Sequence, residues 1–238
     1  MNRPRHLSRL VQEQSKLLFN QEKENAWHCR LIRADALPGQ VFTVTAPEWN
    51  DQAFLITARD LGKHRTVRLF RDTIPMLADR VVDHPGQVIA LVLAPDTEQL
   101  MTCEQQVQIQ YGPINEAMQG ESDRWHCRRI VRSGDTVETL GTGLQAITTH
   151  QSWRPVEYHQ YEPRGVIAEW KSDMLWVQCG TAWPHLVRRM ISESTGLPQK
   201  NITVISQPSG SLPDRYLVDN TFLACYASMA ALTCMKQV

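Results

Sequence analysis

One apolar run constrains the fold of this chain more than any other feature. Residues 87–93 read QVIALVL, an uncharged run rich in β-branched and aliphatic side chains. Its length and composition are typical of a strand that is buried on both faces of its sheet. Pro85 and Gly86 before it favour a turn, and residues 94–96 (APD) after it end the strand. The chain is therefore expected to build packed layers on both sides of this segment.

The residues that follow predict a short helix and a second strand. Asp96 and Thr97 can both cap a helix over residues 98–104, with Leu100 and Met101 turned toward the core. Residues 107–111 alternate apolar and polar side chains, which is typical of a half-buried strand. Together with the preceding loop, these pieces predict one compact α/β layer.

Further elements are expected along the rest of the chain. Strands are predicted at residues 27–33, 40–45, 54–57, 146–152, 165–170, 174–179 and 202–205. Helices are predicted at residues 8–23, 184–194 and 221–235. The first helix is amphipathic, whereas the last is uncharged and too short for a membrane span, so we expect it to be buried.

Charge and cysteine content exclude several classes of protein. The formal net charge is zero, so no electrostatic attraction favours nucleic acid or an anionic membrane as a partner. The six cysteines are scattered without a Cys-x-x-Cys pair, and the N-terminus lacks the apolar run of a signal peptide. We therefore expect a cytoplasmic protein with reduced thiols.

Two clusters of His, Cys and Glu could suggest a metal or acid–base site. The tripeptide Trp-His-Cys occurs at residues 27–29 and again at residues 125–127, and such pairs could bind zinc. Because neighbouring residues on a strand point to opposite faces, core Trp and Cys beside an exposed His are favoured instead. His150, His159 and Glu162 are interpreted as a cluster at a strand edge. We assign no catalytic residue and no metal ligand.

Several motifs together resemble a known family. The segments in question are residues 74–79 (IPMLAD), 86–93, 95–96 and 107–113. Their order and spacing are similar to the a/b hammerhead domain that opens the molybdenum-binding subunit of the xanthine dehydrogenase and aldehyde oxidase family. The resemblance extends from about Trp27 to the end of the chain, including a Thr-Ala-x-Asp motif and the order strand, Pro-started helix, Gly-Leu-Pro, strand.

The resemblance implies an α+β fold with a defined division of the chain. Residues 1–26 would form an N-terminal helical arm, and residues 27–113 the a/b hammerhead domain. Residues 114–133 would be a linker, and residues 134–238 a partial α/β domain of the molybdopterin-binding type.

The resemblance also implies where a molybdopterin cofactor would lie. Relatives have a glycine-rich loop after the strand that corresponds to residues 202–205, where backbone amides approach the cofactor closely. In this chain the cofactor-binding positions of that loop are Gly210, Ser211, Leu212 and Arg215.

This chain departs from the family at several cofactor positions. Pro213 and Asp214 stand where glycines are expected, and Val156 and Ala182 stand where the family has glutamines. Proline removes an amide donor, and aspartate places a negative charge beside an anionic cofactor. The glutamate that acts as general base in relatives lies beyond the part of the family that this chain matches.

Two functions remain open from the sequence. In the first, this chain is part of a molybdenum hydroxylase that oxidises a purine, an N-heterocycle or an aldehyde with water-derived oxygen. The chain alone is then expected to be inactive. Its expected partners are iron–sulfur and flavin subunits and the remaining molybdenum-binding half, or further copies of this chain. The alternative is a non-catalytic relative that acts as an assembly or interaction subunit without molybdenum cofactor.

Overall fold

The computed structural model describes residues 25–50, 52–114, 131, 133, 147, 149–153, 164–207, 214–235 and 238, with side chains of the last helix from residue 218 onward. The chain divides into two units, one made of residues 1–118 and 160–238 and the other of residues 119–159. The predicted helix at residues 8–23 lies outside the described residues.

The part of the chain that the structure describes contains ten strands, three α-helices and one 3-10 turn. The strands are β1 (His28–Arg33), β2 (Gln40–Thr45), β3 (Phe54–Thr57), β4 (Thr66–Leu69), β5 (Asp72–Pro75), β6 (Val88–Ala94), β7 (Gln108–Ile114), β8 (Val166–Lys171), β9 (Met174–Cys179) and β10 (Ile202–Ser206). The α-helices are α1 (Thr97–Gln106), α2 (Pro184–Thr195) and α3 (Asp214–Cys234), and a 3-10 turn covers Gln199–Asn201. The chain is thus a mixed fold of strands and helices, while its identity as a hammerhead domain stays a prediction.

Strand β6 is the central strand of an antiparallel sheet with the order β1-β6-β3. Each of its residues is buried, as the apolar run predicts. Leu91 and Leu93 face one hydrophobic core, and Ala90 and Val92 face another. Burying a side chain of this size contributes roughly 1.5–3 kcal/mol, so β6 stabilises both layers at once.

The segment after β6 departs from the single layer that the sequence predicts. Helix α1 forms with Asp96 as its N-cap, whose side chain accepts a hydrogen bond from the Gln99 amide. Strand β7, however, pairs with β2 in a separate two-stranded sheet. The prediction of one layer was wrong because strand β2, not β6, is the partner of the returning strand. Met101 is also 46% exposed rather than turned inward, whereas Leu100 is buried.

A second three-stranded sheet has the strand order β10-β9-β8, and its strand β9 is parallel to β10 and antiparallel to β8. The turn between β8 and β9 has positive φ angles at Ser172 and Asp173, as a two-residue hairpin turn of type I′ requires. Helix α2 connects the parallel pair, and it ends at Gly196 with φ of 77°. These strands and this helix confirm the predictions for residues 165–205 to within about a residue or two at each end.

One hydrophobic core joins residues from both ends of the described chain. We call it the joint core, and its most deeply buried members include Ile56, Met76, Leu91, Leu175, Val177, Met190 and Ile191. Helix α3 contributes mainly small side chains, such as Ala224 and Ala230, which are fully buried. Small residues allow the helix to approach its neighbours closely. Tyr226 on the same helix donates a hydrogen bond of 2.8 Å to the carbonyl oxygen of Met76.

Helix α2 also binds the free edge of strand β4. The carboxylate of Glu193 accepts a hydrogen bond of 2.8 Å from the Arg68 amide, and Arg189 donates one of 2.9 Å to the Arg68 carbonyl. The ring of His64 lies against the end of α2, where its Nδ1 is 3.1 Å from the Glu193 carbonyl oxygen. A backbone edge that would otherwise be open is therefore covered by side chains of the helix.

Two further differences from the sequence predictions concern short elements. The β4–β5 hairpin was not predicted; its turn contains Phe70 at φ of 55° instead of Gly or Asn. In the predicted strand at residues 146–152, the described residues 147 and 149–152 adopt no strand. Among the described residues, no helix is both long and apolar enough to cross a membrane.

The packing at Gly196 predicts a large effect of Gly196→Ala. A Cβ atom there would lie 2.4 Å from Nε2 of His64, and the left-handed backbone costs a further ~1–2 kcal/mol for a residue other than glycine. Gly86 has the same φ of 77° but open space around its Cβ position. Urea unfolding should therefore show Gly196→Ala to be less stable than Gly86→Ala by about 1–3 kcal/mol. Equal losses would show that the contact with His64 does not matter.

The hydrogen bond between Tyr226 and Met76 predicts an effect of Tyr226→Phe. This change leaves the buried Met76 carbonyl without its partner, so the free energy of unfolding should fall by about 1–3 kcal/mol. Tyr111→Phe is the matched control, because Tyr111 accepts a hydrogen bond from the exposed Asp35 amide, which water can replace. A loss for Tyr226→Phe no larger than that for the control would contradict the prediction.

Candidate functional site

The carboxyl ends of the parallel strands β9 and β10 meet at one edge of their sheet. In open α/β sheets, ligands bind at such edges. The residues placed there are the loop 180–183 after β9 and Gln207 after β10, and the chain then continues into helix α3. We call this the β9–β10 edge. The edge coincides with the region where the family resemblance places the cofactor.

A network of hydrogen bonds holds the loop after β9. Ser206 donates a hydrogen bond of 2.6 Å from its Oγ to the Thr181 carbonyl oxygen. The Gln207 amide donates to the Cys179 carbonyl at 3.0 Å, and its side chain donates to Oε1 of Gln178 at 3.2 Å. Most polar groups at the edge therefore bind one another.

Asn220 of helix α3 is the exception in this network. Its side chain is 2% exposed, and Nδ2 donates a hydrogen bond of 2.7 Å to the Gly180 carbonyl oxygen. The Oδ1 atom is buried and has no hydrogen-bond partner among the described residues. An unsatisfied buried acceptor costs roughly 1–3 kcal/mol. Oδ1 is therefore the atom at the β9–β10 edge that would gain most from a donor on a bound molecule.

An aromatic pair lies beside the loop. Trp183 precedes helix α2, and its amide donates a hydrogen bond of 3.0 Å to Oγ1 of Thr181. Its ring packs edge to face with Phe70, with centroids 6.1 Å apart and planes at 86°. Phe70 is 73% exposed, so the pair presents an apolar surface next to the loop.

Cysteine residues near the site are buried and unreactive. Burial raises the pKa of the Cys179 thiol, at the end of β9, to about 12. Desolvation likewise raises the pKa of Cys225, on α3, to about 12, and a hydrogen bond with Ser194 only partly offsets this. A thiol is nucleophilic only as its thiolate. Neither residue is therefore suited to act as a nucleophile.

The residues that the sequence assigned to the cofactor are mostly outside the described part. Gly210, Ser211 and Leu212 are not described, and for Arg215 the structure describes the backbone within α3 but not the side chain. Ala182 is exposed on the loop after β9. Asn220 was not predicted from the sequence, although a polar Asn-Thr pair beside a long apolar run is a signal that could have found it.

The described groups at this edge do not match the needs of molybdopterin. Its phosphate and its metal-bound oxygen and sulfur atoms require hydrogen-bond donors or cations. The side-chain donors of Ser206, Gln207 and Asn220 are already bonded within the protein. The unpaired Oδ1 of Asn220 is an acceptor. These three side chains therefore offer the cofactor no free donor.

Two adjoining grooves, of about 730 and 570 Å³, lie between helix α3 and strand β1. They share apolar lining residues such as Leu31 and Leu223, together with Arg164. Arg164 pairs with Asp219, and Arg33 donates a hydrogen bond of 2.9 Å to the Gly86 carbonyl. Both arginines in the lining therefore have partners within the protein.

The Trp-His-Cys tripeptide at residues 27–29 begins strand β1. Trp27 is buried and His28 is exposed, while burial raises the pKa of Cys29 to about 12. Among the described residues, no group of three His, Cys, Asp or Glu side chains is arranged to hold a metal ion. The tripeptide at residues 125–127 lies outside the described residues.

Comparison with known proteins connects this geometry to a family. The model of the family described as "Molybdopterin cofactor-binding domain" matches residues 121–212. No curated protein sequence matches the chain.

Solved structures of molybdenum enzymes have the same fold. Quinoline 2-oxidoreductase from Pseudomonas putida 86 superposes with a TM-score of 0.70 at 17% identity, over 98% of this chain and 33% of that chain. Carbon monoxide dehydrogenase from Oligotropha carboxidovorans gives 0.62 at 19% identity, over 100% and 34%. Aldehyde oxidoreductase from Desulfovibrio gigas gives 0.61 at 17% identity, over 93% and 27%.

The comparisons confirm the resemblance to the molybdenum-binding subunit of the xanthine dehydrogenase and aldehyde oxidase family. They establish the fold, and molybdopterin is the cofactor of the family whose model matches. The chain spans about a third of the length of the solved chains that it matches.

The raised pKa values predict that three cysteines resist alkylation. With a pKa of about 12 for Cys29, Cys179 and Cys225, only ~10⁻⁴ of each thiol is ionised at pH 8. Peptide mass spectrometry should show these residues unmodified after treatment of the folded protein with iodoacetamide, and modified after unfolding in urea. Rapid modification of Cys179 in the folded protein would contradict the prediction.

Proposed function

We propose that this chain is the scaffold portion of a molybdenum hydroxylase large subunit that oxidises a purine, an N-heterocycle or an aldehyde with water-derived oxygen. Residues 27–113 act as its hammerhead domain and residues 134–238 as part of its molybdopterin-binding domain, joined by residues 114–133. The supporting observation is that two solved enzymes superpose over 100% and 98% of this chain, with TM-scores of 0.64 and 0.70. The protein works in the cytoplasm.

In this proposal the chain does not turn over substrate unaided. The side-chain donors of Ser206, Gln207 and Asn220 at the β9–β10 edge are engaged within the protein, so the donors and cations that the cofactor requires beyond those of residues 210–215 come from elsewhere in the assembly. Iron–sulfur and flavin subunits and the remaining molybdenum-binding half are the partners that relatives imply.

The loop after β10 would contribute one wall of the cofactor site. Gly210, Ser211 and Leu212 offer backbone amides, and Arg215 offers a positive charge toward a phosphate. Asn220 supports the adjoining loop through its hydrogen bond to Gly180. When bound, the cofactor supplies the oxygen transfer, and these residues of the chain only hold and orient it.

A second candidate function is a non-catalytic subunit for assembly or interaction. It is favoured by the exposed methyl group of Ala182 at a position where the family has a glutamine, beside a joint core that is fully packed. Under this alternative the fold is kept for binding other chains or further copies of this one.

Molybdenum analysis separates the two functions. We expect stoichiometric molybdenum when the chain is purified with its native partners, and none when the same chain is isolated from them. Arg215→Ala should reduce the molybdenum content of the complex, whereas Arg71→Ala, at an exposed hairpin turn, should leave it unchanged.

Two results would overturn this proposal. Stoichiometric molybdenum in the isolated chain would show that the chain forms a complete site. A folded native complex without molybdenum would favour the non-catalytic alternative.

A further inference from the structure

A further concave surface lies on the side of strand β6 that packs toward β2. It is lined by residues 41–45 of strand β2, residues 57–59 and residues 78–80, and it encloses about 340 Å³. Ile89 of β6 also contacts it. We call it the β2 groove. It is separate from the β9–β10 edge, and nothing in the proposed function uses it.

One wall of the β2 groove is a partly open backbone edge. The Phe42 amide donates a hydrogen bond of 2.8 Å to the Arg80 carbonyl, and the Val82 amide donates one of 3.0 Å to the Gln40 carbonyl. Since backbone groups in a strand alternate in direction, the N–H and C=O of Val44 point the same way as those of Phe42, away from β7. Among the described residues, no backbone hydrogen bond reaches Val44 from that side.

The groove also carries an excess of positive charge. Arg59 and Arg80 line it and are exposed, and no carboxylate among the described residues lies within ion-pair distance of either. The acidic residue in the lining, Asp79, is already paired with Arg65 at 2.6 Å. Two guanidinium groups are thus available to an anion beside an open strand edge.

The backbone of Arg80 is held in an unfavourable conformation. Its φ is 69°, in the left-handed region that residues other than glycine rarely adopt. The hydrogen bond from Phe42 to its carbonyl helps to fix that conformation. Arg80 is held in this conformation as a lining residue of the groove.

We propose that the β2 groove binds an extended acidic segment of a partner protein as an added strand. The segment pairs its backbone with Val44, and its carboxylates bind Arg59 and Arg80. Added strands obtain affinity from main-chain hydrogen bonds and specificity from alternate side chains. A charge-assisted bond between arginine and a carboxylate is stronger than a main-chain hydrogen bond between neutral groups.

A peptide-binding experiment on the full chain tests this site. The probe is a fluorescent, end-blocked hexapeptide of alternating glutamate and valine, and binding is followed by anisotropy. Arg59→Ala and Arg80→Gly should each weaken binding about tenfold or more, since each removes a charged contact. Glycine at position 80 accepts the φ of 69°, so this variant keeps the fold. Arg71→Ala, outside the groove, should bind like the unmodified chain.

Two control ligands distinguish strand addition from attraction of charge alone. The same peptide with methylated amides on alternate residues cannot form the main-chain bonds and should bind about tenfold more weakly. Succinate should compete only at far higher concentration than the peptide. The proposal is overturned if the hexapeptide does not bind at ~1 mM, if methylation has no effect, or if the two arginine variants bind normally.

Discussion

Burial of strand β6 on both faces is the constraint on which the rest of the structure depends. Its leucines face the joint core and its alternate residues face the core beneath β2 and α1. A strand in this position cannot be stable unless both layers form, because each exposed face would cost several kcal/mol. Helix α3 contributes small side chains to the joint core, on one side of β6. The hydrogen bond from Tyr226 to the Met76 carbonyl fixes the position of this helix.

The same packing explains what the chain can and cannot offer to a cofactor. The joint core includes residues of β9, β10 and α3, and a hydrogen bond from Asn220 on α3 to the Gly180 carbonyl ties the helix to the loop after β9. At the β9–β10 edge, however, the side-chain donors of Ser206 and Gln207 bind neighbouring residues, and Asn220 Oδ1 remains as an unpaired acceptor. In our proposal, residues 210–215 and other parts of the assembly supply the donors that the cofactor requires.

The sequence predicted local elements well and long-range pairing poorly. Helix α1 and strand β6 followed from an N-cap residue and an apolar run, which are local signals. The pairing of β7 with β2 and the inclusion of α3 in one core depend on contacts that no local pattern encodes. The β4–β5 hairpin was missed because Phe70 occupies a turn position where glycine or asparagine is expected. At the site, motifs indicated the β9–β10 edge. Only the structure shows that Oδ1 of Asn220 is buried there without a hydrogen-bond partner among the described residues.

Hydrogen exchange under native conditions tests most directly whether this account of one joint core is correct. The amides of Leu91 in β6, Val177 in β9 and Ile191 in α2 belong to residues of that core, although they lie far apart in sequence. The account predicts that all three exchange only through global unfolding, with free energies equal to within about 0.5 kcal/mol. If Val177 and Ile191 exchanged through a separate opening of lower free energy while Leu91 stayed protected, the two ends of the chain would be independent units and the account would be wrong.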